Sequence, residues 1–258
     1  MRTVKDVLIH LNKLADVKLA ENWDNVGLLL GNNNNEVNKV LVCLDVTTDV
    51  VEEAIANDVN LIVSHHPLIF KPLKSLDFTS DFKSRIIRDL IKNDISVISF
   101  HTNLDSATLG LNDYLAKLLK LEDIQVLFEH NLDKTAGLGR IGKLSSPLKY
   151  SDFITYLKDK FSLENVAAVI GDEKEISTVA LLGGSGADFV YTLPEVDVYL
   201  TGDVGYHAAL DAIEMKKNII DIGHYTESLV KDLLLDYISE LNVEVIKSTV
   251  EKSPFTIL

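Results

Sequence analysis

Residues 38–66, NKVLVCLDVTTDVVEEAIANDVNLIVSHH, decide the reading of the fold. NKVLVCLD carries a continuous apolar run of strand length. TTDVVEEAIAND opens on Thr and Asp, both good helix caps, and then spaces its apolar residues at helical intervals. NLIVS is a second short apolar run, and it ends in two histidines. Strand, helix, strand in this order predicts a parallel sheet covered by helices.

Working outward, SDFKSRIIRDLIKN reads as a helix, ISVISF as a strand and LNDYLAKLLK as a helix. Ahead of the βαβ unit, residues 3–15 form an amphipathic first helix whose apolar positions are mixed with charges, which is not the pattern of a signal peptide. The alternation resumes at residue 177, with STVALLGG, VDVYLTG and NIIDIG as strands, YHAALDAIEMKK and TESLVKDLLLDYISEL as helices, and VEVIK as a last short strand. Residues 126–175 are less regular, with GRIGKL a strand candidate and LKYSDFITYLKDKF a helix. LVCLDVTTDVVEEAI with NLIVSHH parallels VALLGGSGADFVYTL with VDVYLTGDVGYH, so the halves share an order of elements. The expected architecture is α/β: two similar lobes, each a mostly parallel sheet with flanking helices, and a metal site between them. A division near residue 125 makes residues 1–125 the first lobe and 126–258 the second, which contributes GHYTE.

Composition narrows the function classes. Of the 258 residues, 47% are apolar and 25% charged, the balance of a globular chain with enough material for a substantial core. No apolar run reaches the roughly 20 residues of a membrane-spanning helix, so a cytoplasmic location is expected. The net charge of -14 disfavours nucleic-acid binding, which rests on clustered cations that displace counterions. The single cysteine, Cys43, excludes an internal disulfide and a thiolate cluster, and its place within VLVCLD marks it as a core thiol.

The polar residues are concentrated where apolar runs end. NLIVS leads into His65 and His66; ISVISF into His101, Thr102, Asn103 and Asp105; VDVYL into Thr201, Gly202, Asp203 and His207; NIIDI into Gly223, His224 and Glu227. Five of the seven histidines lie in these four places. A parallel sheet gathers its carboxyl ends on one edge, where ligands bind. Imidazole nitrogens with carboxylate oxygens suit Zn, Fe or Mn. His65, His66, Asp105, His224 and Glu227 exceed one tetrahedral set and fit two divalent ions if Asp105 is shared.

Each element alone has a plainer reading. HTNLD could be a turn in which Asp105 or Ser106 caps the next helix, and GHYTE a helix start with Thr226 as cap and Glu227 as a first-turn acid. Should Asp105 be such a cap, Asp203 is the alternative acid. His10 and His130 read as structural or surface residues. ENWDNVG, with Trp23, Asp24 and Asn25, reads as a rigid loop packed by its aromatic. Lys71, after SHHPLIF, could set a cation near a bound anion.

ENWDNVGLLLG, SHHPLIF, HTNLDSA, TGDVGYHAALDA and DIGHYTE, taken in order over nearly the whole chain, resemble the Ngg-interacting-factor-like family of dinuclear metal proteins, whose members often carry the name GTP cyclohydrolase type 2 homolog. The resemblance implies a two-lobed protomer, a toroidal homohexamer and a dinuclear site facing its interior. Carried over by motif, it names His65, His66, Asp105, His224 and Glu227 as ligands, with Asp105 as the bridge. It places His207 beside the ligands or facing substrate, a candidate for moving a proton. At this length the chain matches the short form, without the insertion between the lobes that some relatives carry. Two functions follow as expectations: a metal-dependent hydrolase acting on a nucleotide or small metabolite, or a metal-binding assembly or regulatory protein without turnover. No GxxxxGK[ST] loop is present, so triphosphate recognition has no support in the sequence.

Overall fold

The computed structural model describes residues 1–256. Its described residues divide into two compact units, one of residues 1–107 with 228–256 and the other of residues 108–227.

In the first unit, α1 (Val4–Leu14) opens on a capping box: the Thr3 side chain accepts from the Asp6 N–H, and the Asp6 carboxylate accepts from the Thr3 N–H at 2.8 Å. β1 (Gly27–Leu30), β2 (Lys39–Cys43), α2 (Thr48–Ala56), β3 (Leu61–Ser64), α3 (Phe82–Lys92), β4 (Ser96–Ser99) and the short α4 (Thr102–Ser106) follow. The second unit holds α5 (Leu111–Leu118), β5 (Glu122–Glu129), β6 (Gly137–Leu148), α6 (Tyr150–Phe161), β7 (Ala167–Val169), β8 (Ile176–Ser185), β9 (Val198–Gly202), α7 (Tyr206–Glu214) and β10 (Ile219–Asp221). A 3-10 turn, His224–Leu229, leads into α8 (Val230–Ser239), and β11 (Glu244–Lys247) ends the series.

The first sheet has the order β1-β4-β3-β2-β11, parallel throughout except for β1. β3 is its central strand, and all four of its residues are buried. Burying an aliphatic side chain contributes about 1.5–3 kcal/mol, so Leu61, Ile62 and Val63 fix this strand far more firmly than hydrogen bonds alone could. The parallel pairing runs past the strand: the His65 and His66 N–H groups donate to the Cys43 and Leu44 carbonyls at 3.1 and 2.9 Å. Both histidines are therefore held by backbone as well as by side chain. Cys43 is buried in the core formed with Leu41, Ile62 and Leu90, and burial pushes its thiol pKa well up, as its strand position predicts.

The second sheet has the order β5-β6-β8-β9-β10-β7. Only β8, β9 and β10 run parallel; β5, β6 and β7 are antiparallel to their neighbours, so this lobe is a mixed sheet and not the mostly parallel one the sequence predicts. The extra strands come mainly from the irregular stretch after residue 120. β5 is half exposed along its length, which removes the apolar run that marks a buried strand. Three parallel strands closed by one antiparallel strand occur in both units, β2-β3-β4 with β1 and β8-β9-β10 with β7, matching the shared order of elements.

The units part between residues 107 and 108, where the sequence suggests 125, and the chain returns to the first unit at residue 228. The return follows from β11, which pairs in parallel with β2 from Lys39 to Val42. Glu251 reinforces it, accepting from the Leu44 and Asp45 N–H groups and from Lys231 at 2.8–3.2 Å. No helix among the described residues is long and apolar enough to cross a membrane.

Candidate metal centre

The first unit gathers His65, His66, His101 and Asp105. One ring nitrogen from each of the three histidines lies within 4.8 Å of the others. His65 is fully buried, and its Nε2 stands 3.5 Å from Oδ1 of Asp105. That distance is longer than a good hydrogen bond and close to the edge of a tetrahedron with metal bonds of about 2.1 Å, roughly 3.4 Å. Asp105 sits inside α4, all five residues of which are buried. It does not cap the next helix: α5 begins after Gly110 with no side-chain cap, and the Leu109 N–H goes to Asp113.

The outer nitrogen of each ring is occupied. His65 Nδ1 lies 2.8 Å from the Phe100 carbonyl oxygen, His66 Nδ1 2.9 Å from Oδ1 of Asp45, and His101 Nδ1 2.9 Å from Oδ1 of Asp24. Carbonyl and carboxylate oxygens only accept, so Nδ1 carries the proton in each neutral ring and Nε2 keeps the lone pair. An imidazole anchored this way is the usual state of a metal-bound histidine. The cluster can hold a divalent ion.

The second unit repeats the device. His224 Nδ1 lies 2.7 Å from Oδ2 of Asp203, while its Nε2 lies 3.1 Å from Oε2 of the buried Glu227. In both units the anchoring aspartate follows one parallel strand and the histidine follows the next, 21 residues later: Asp45 after β2 with His66 after β3, Asp203 after β9 with His224 after β10. Neighbouring parallel strands in register put these residues side by side at their carboxyl ends. GHYTE is not a capped helix start, because the Thr226 hydroxyl donates to the Ile222 carbonyl and α8 begins after Leu229 with no side-chain cap.

His207 lies in the first turn of α7, exposed, its ring edge-on to Tyr206 at 5.4 Å, and outside these clusters. Lys71 is exposed. His10 stacks on Tyr237 and its Nε2 lies 2.9 Å from the Tyr237 carbonyl, a structural role. ENWDNVG is anchored, but not by its aromatic. Trp23 is 59% exposed, meeting Phe70 and His101 edge-on, while Asp24 reaches His101 and Asn25 donates to the Ile69 carbonyl. Burial works to raise the Asp24 pKa, but hydrogen bonds from His101 and Thr102 overcome it and hold it at about 2. Asp24, Asp45 and His101 are the residues that motif reading did not assign to the site. An acid about 20 residues before a candidate ligand histidine, at the end of the preceding strand, was the signal for Asp45.

A profile of the family Duf34/NIF3 (NGG1p interacting factor 3) matches residues 2–254. The chain belongs to this family. Among NIF3-family relatives, a GTP cyclohydrolase 1 type 2 homolog of Lactococcus lactis is 36% identical over 98% of both chains, and one of Clostridium perfringens is 35% identical over 98% of both. A hypothetical protein of Staphylococcus aureus superposes with a TM-score of 0.90 at 34% identity, over 99% of each chain. A Staphylococcus aureus relative aligns over 363 positions, more than the 258 residues here, so it carries residues that this NIF3-family chain lacks.

The paired glycines of β8 shape the second cluster. Gly184 has φ +67°, and a Cβ there would stand 2.5 Å from Oε1 of Glu227; at Gly183 the same distance is 3.3 Å. The carboxylate is the far end of a flexible side chain, so it is the part that yields. Gly184→Ala is expected to cost about 1–2 kcal/mol in backbone strain and to lower metal content although it removes no ligand. Gly183→Ala should do markedly less. Elemental analysis of the two variants side by side checks this, and equal metal content would refute it.

Proposed function

We propose that this protein is a metal-dependent hydrolase of nucleotides or related small metabolites, in which His65, His66, Asp105, His224 and Glu227 hold two divalent ions, Zn, Fe or Mn, with Asp105 as the bridge. The observation that carries the reading is the anchoring of His65, His66 and His224 by Nδ1, which leaves a nitrogen lone pair beside a carboxylate in each unit.

The chemistry such ions supply is Lewis acidity, which activates water near neutral pH and polarises the atom under attack. The chain's own residues divide the remaining work. Asp45, Asp203 and the Phe100 carbonyl hold three rings in one tautomer. His207 is the candidate for moving a proton to the leaving group. The name shared by the relatives points to a purine nucleotide whose imidazole ring is opened by water with loss of formate, and the site is chemically suited to adding water to such a carbon.

The test is turnover of a nucleotide and phosphoester panel, including GTP with formate detection, by protein reconstituted with Zn, Mn or Fe. Activity lost in His65→Ala and in Asp105→Ala supports the proposal; activity unchanged in both removes it. Inertness of the metal-loaded wild type across the panel would favour the second reading, a metal-binding assembly or regulatory protein.

The resemblance further suggests a closed homohexamer of the 28.6 kDa chain, and closed point-group symmetry is the rule for soluble homo-oligomers. Light scattering should return six chains at all dilutions tested. A concentration-independent monomer would contradict it.

A further inference from the structure

Asp24 and His101 stand outside the five residues assigned to metal, yet His101 belongs to the same cluster as His65 and His66. The Asp24 side chain is fully buried and its carboxylate receives four donors. Oδ1 accepts from the Asn25 N–H at 2.8 Å and from His101 Nδ1 at 2.9 Å; Oδ2 accepts from the Thr102 N–H at 3.0 Å and from the Thr102 hydroxyl at 2.5 Å. The Thr102 hydroxyl in turn accepts from the Glu21 N–H, so its one proton is committed to Asp24. Two of the four donors are backbone N–H groups, which can only donate, and the hydroxyl is oriented by the Glu21 N–H that it accepts. The His101 ring can reverse its polarity by moving its proton from one nitrogen to the other.

We propose that Asp24 is a positioning residue that locks His101 in the Nδ1–H tautomer, making its Nε2 a hydrogen-bond acceptor that orients the attacking water beside His65 and His66. The acceptor role rests on the hydrolase reading; the tautomer lock does not. Without the lock, a neutral imidazole could present an N–H donor to the site, which repels a cation and cannot accept from water. The surrounding loop suits the task. Asn25 ties it to the Ile69 carbonyl, so Asp24 approaches His101 from fixed backbone on one side and from Thr102 on the other. A carboxylate that sets the tautomer of a histidine base is a recognised source of large rate effects.

Asp24→Asn separates the possibilities, because its size is conserved and its one oxygen can serve only one side. The Thr102 N–H and hydroxyl together outweigh the single Asn25 N–H for that oxygen, the amide then turns its N–H toward His101, and the ring takes up the Nε2–H form. Long-range 1H–15N spectra of histidine-labelled, metal-free protein, with His101 assigned through His101→Gln, read the tautomer directly. The wild type is expected to show Nδ1–H at His101 and Asp24→Asn to show Nε2–H, with the His65 and His66 signals retaining their pattern. In the metal-loaded enzyme, Asp24→Asn should lower kcat by roughly 10- to 100-fold, the range for residues that orient a functional imidazole, with KM little changed. An Nε2–H ring in the wild type overturns the proposal without any variant, as does an unchanged tautomer in Asp24→Asn or an inverted tautomer with unaltered kcat. Wild-type protein that takes up no metal would defeat the proposed function instead, while the metal-free spectra would still decide the role of Asp24.

Discussion

Asp105→Ala is expected to lower metal affinity more than about 100-fold, because in the proposed role of a charged ligand shared by two ions it would be worth several kcal/mol and each 1.4 kcal/mol is tenfold. Activity should fall with it. The variant should remain folded, since α4 is held by other contacts: Asn103 Nδ2 donates to the Ala15 carbonyl, Asn103 Oδ1 accepts from the His101 N–H, and Leu104 is fully buried. Metal binding stabilises the native state by mass action, about 2.7 kcal/mol when free metal is 100 times Kd. Added metal should therefore raise the melting temperature of the wild type but not of Asp105→Ala, while the metal-free proteins melt close together. Cys43→Ala is the matched control. It alters a buried core side chain outside the proposed ligand set, and it should cost about 1 kcal/mol with metal content intact. If Asp105→Ala kept wild-type affinity, Asp105 would be scaffold and another acid would have to serve.

The second large effect lies in the scaffold of the second unit. Arg140 on β6 is 2% exposed, and its Nε and Nη2 donate to Oδ2 of Asp113 at 2.9 and 2.7 Å. Its Nη1 donates to the Gly137 and Gly139 carbonyls. Asp113→Ala removes a counter-charge from a buried guanidinium, at a cost of about 3–5 kcal/mol. For a chain of this size that corresponds to a fall in melting temperature of roughly 10 °C. Adding Arg140→Met should recover most of the loss, because removing both charges is far cheaper than removing one. Metal content per folded chain should stay at the wild-type level in both variants. Calorimetry of the single and double variants checks the expectation; an unchanged melting temperature in Asp113→Ala would show that the pair contributes little.

The ligand candidates were legible because they follow buried strands. β2, β3, β4, β9 and β10 each contain enough consecutive apolar residues to be recognised, and the polar residue after such a run lands at the carboxyl end of a parallel strand. The anchoring acids were harder to read. Asp45 and Asp203 acquire meaning only from the pairing of adjacent strands, and Asp24 lies 77 residues from His101, across the antiparallel β1–β4 contact. Trp23 misled for a related reason. An aromatic in a polar loop suggests packing, yet here its polar neighbours do the anchoring and the ring, edge-on to Phe70 and His101, is more than half exposed. β1, β5 and β7 escaped notice because they are short or half exposed and carry no strong period. The return of α8 and β11 to the first sheet depends on a pairing with β2 across some 200 residues, and no local pattern signals it.

The most direct test of the five-ligand account is the metal content of protein purified without a chelating tag, measured by elemental analysis after reconstitution and gel filtration. Close to two divalent ions per wild-type chain are expected, and fewer in Asp105→Ala and in His224→Ala alike. Two ions retained at wild-type affinity in either variant, or none in the wild type, would contradict it.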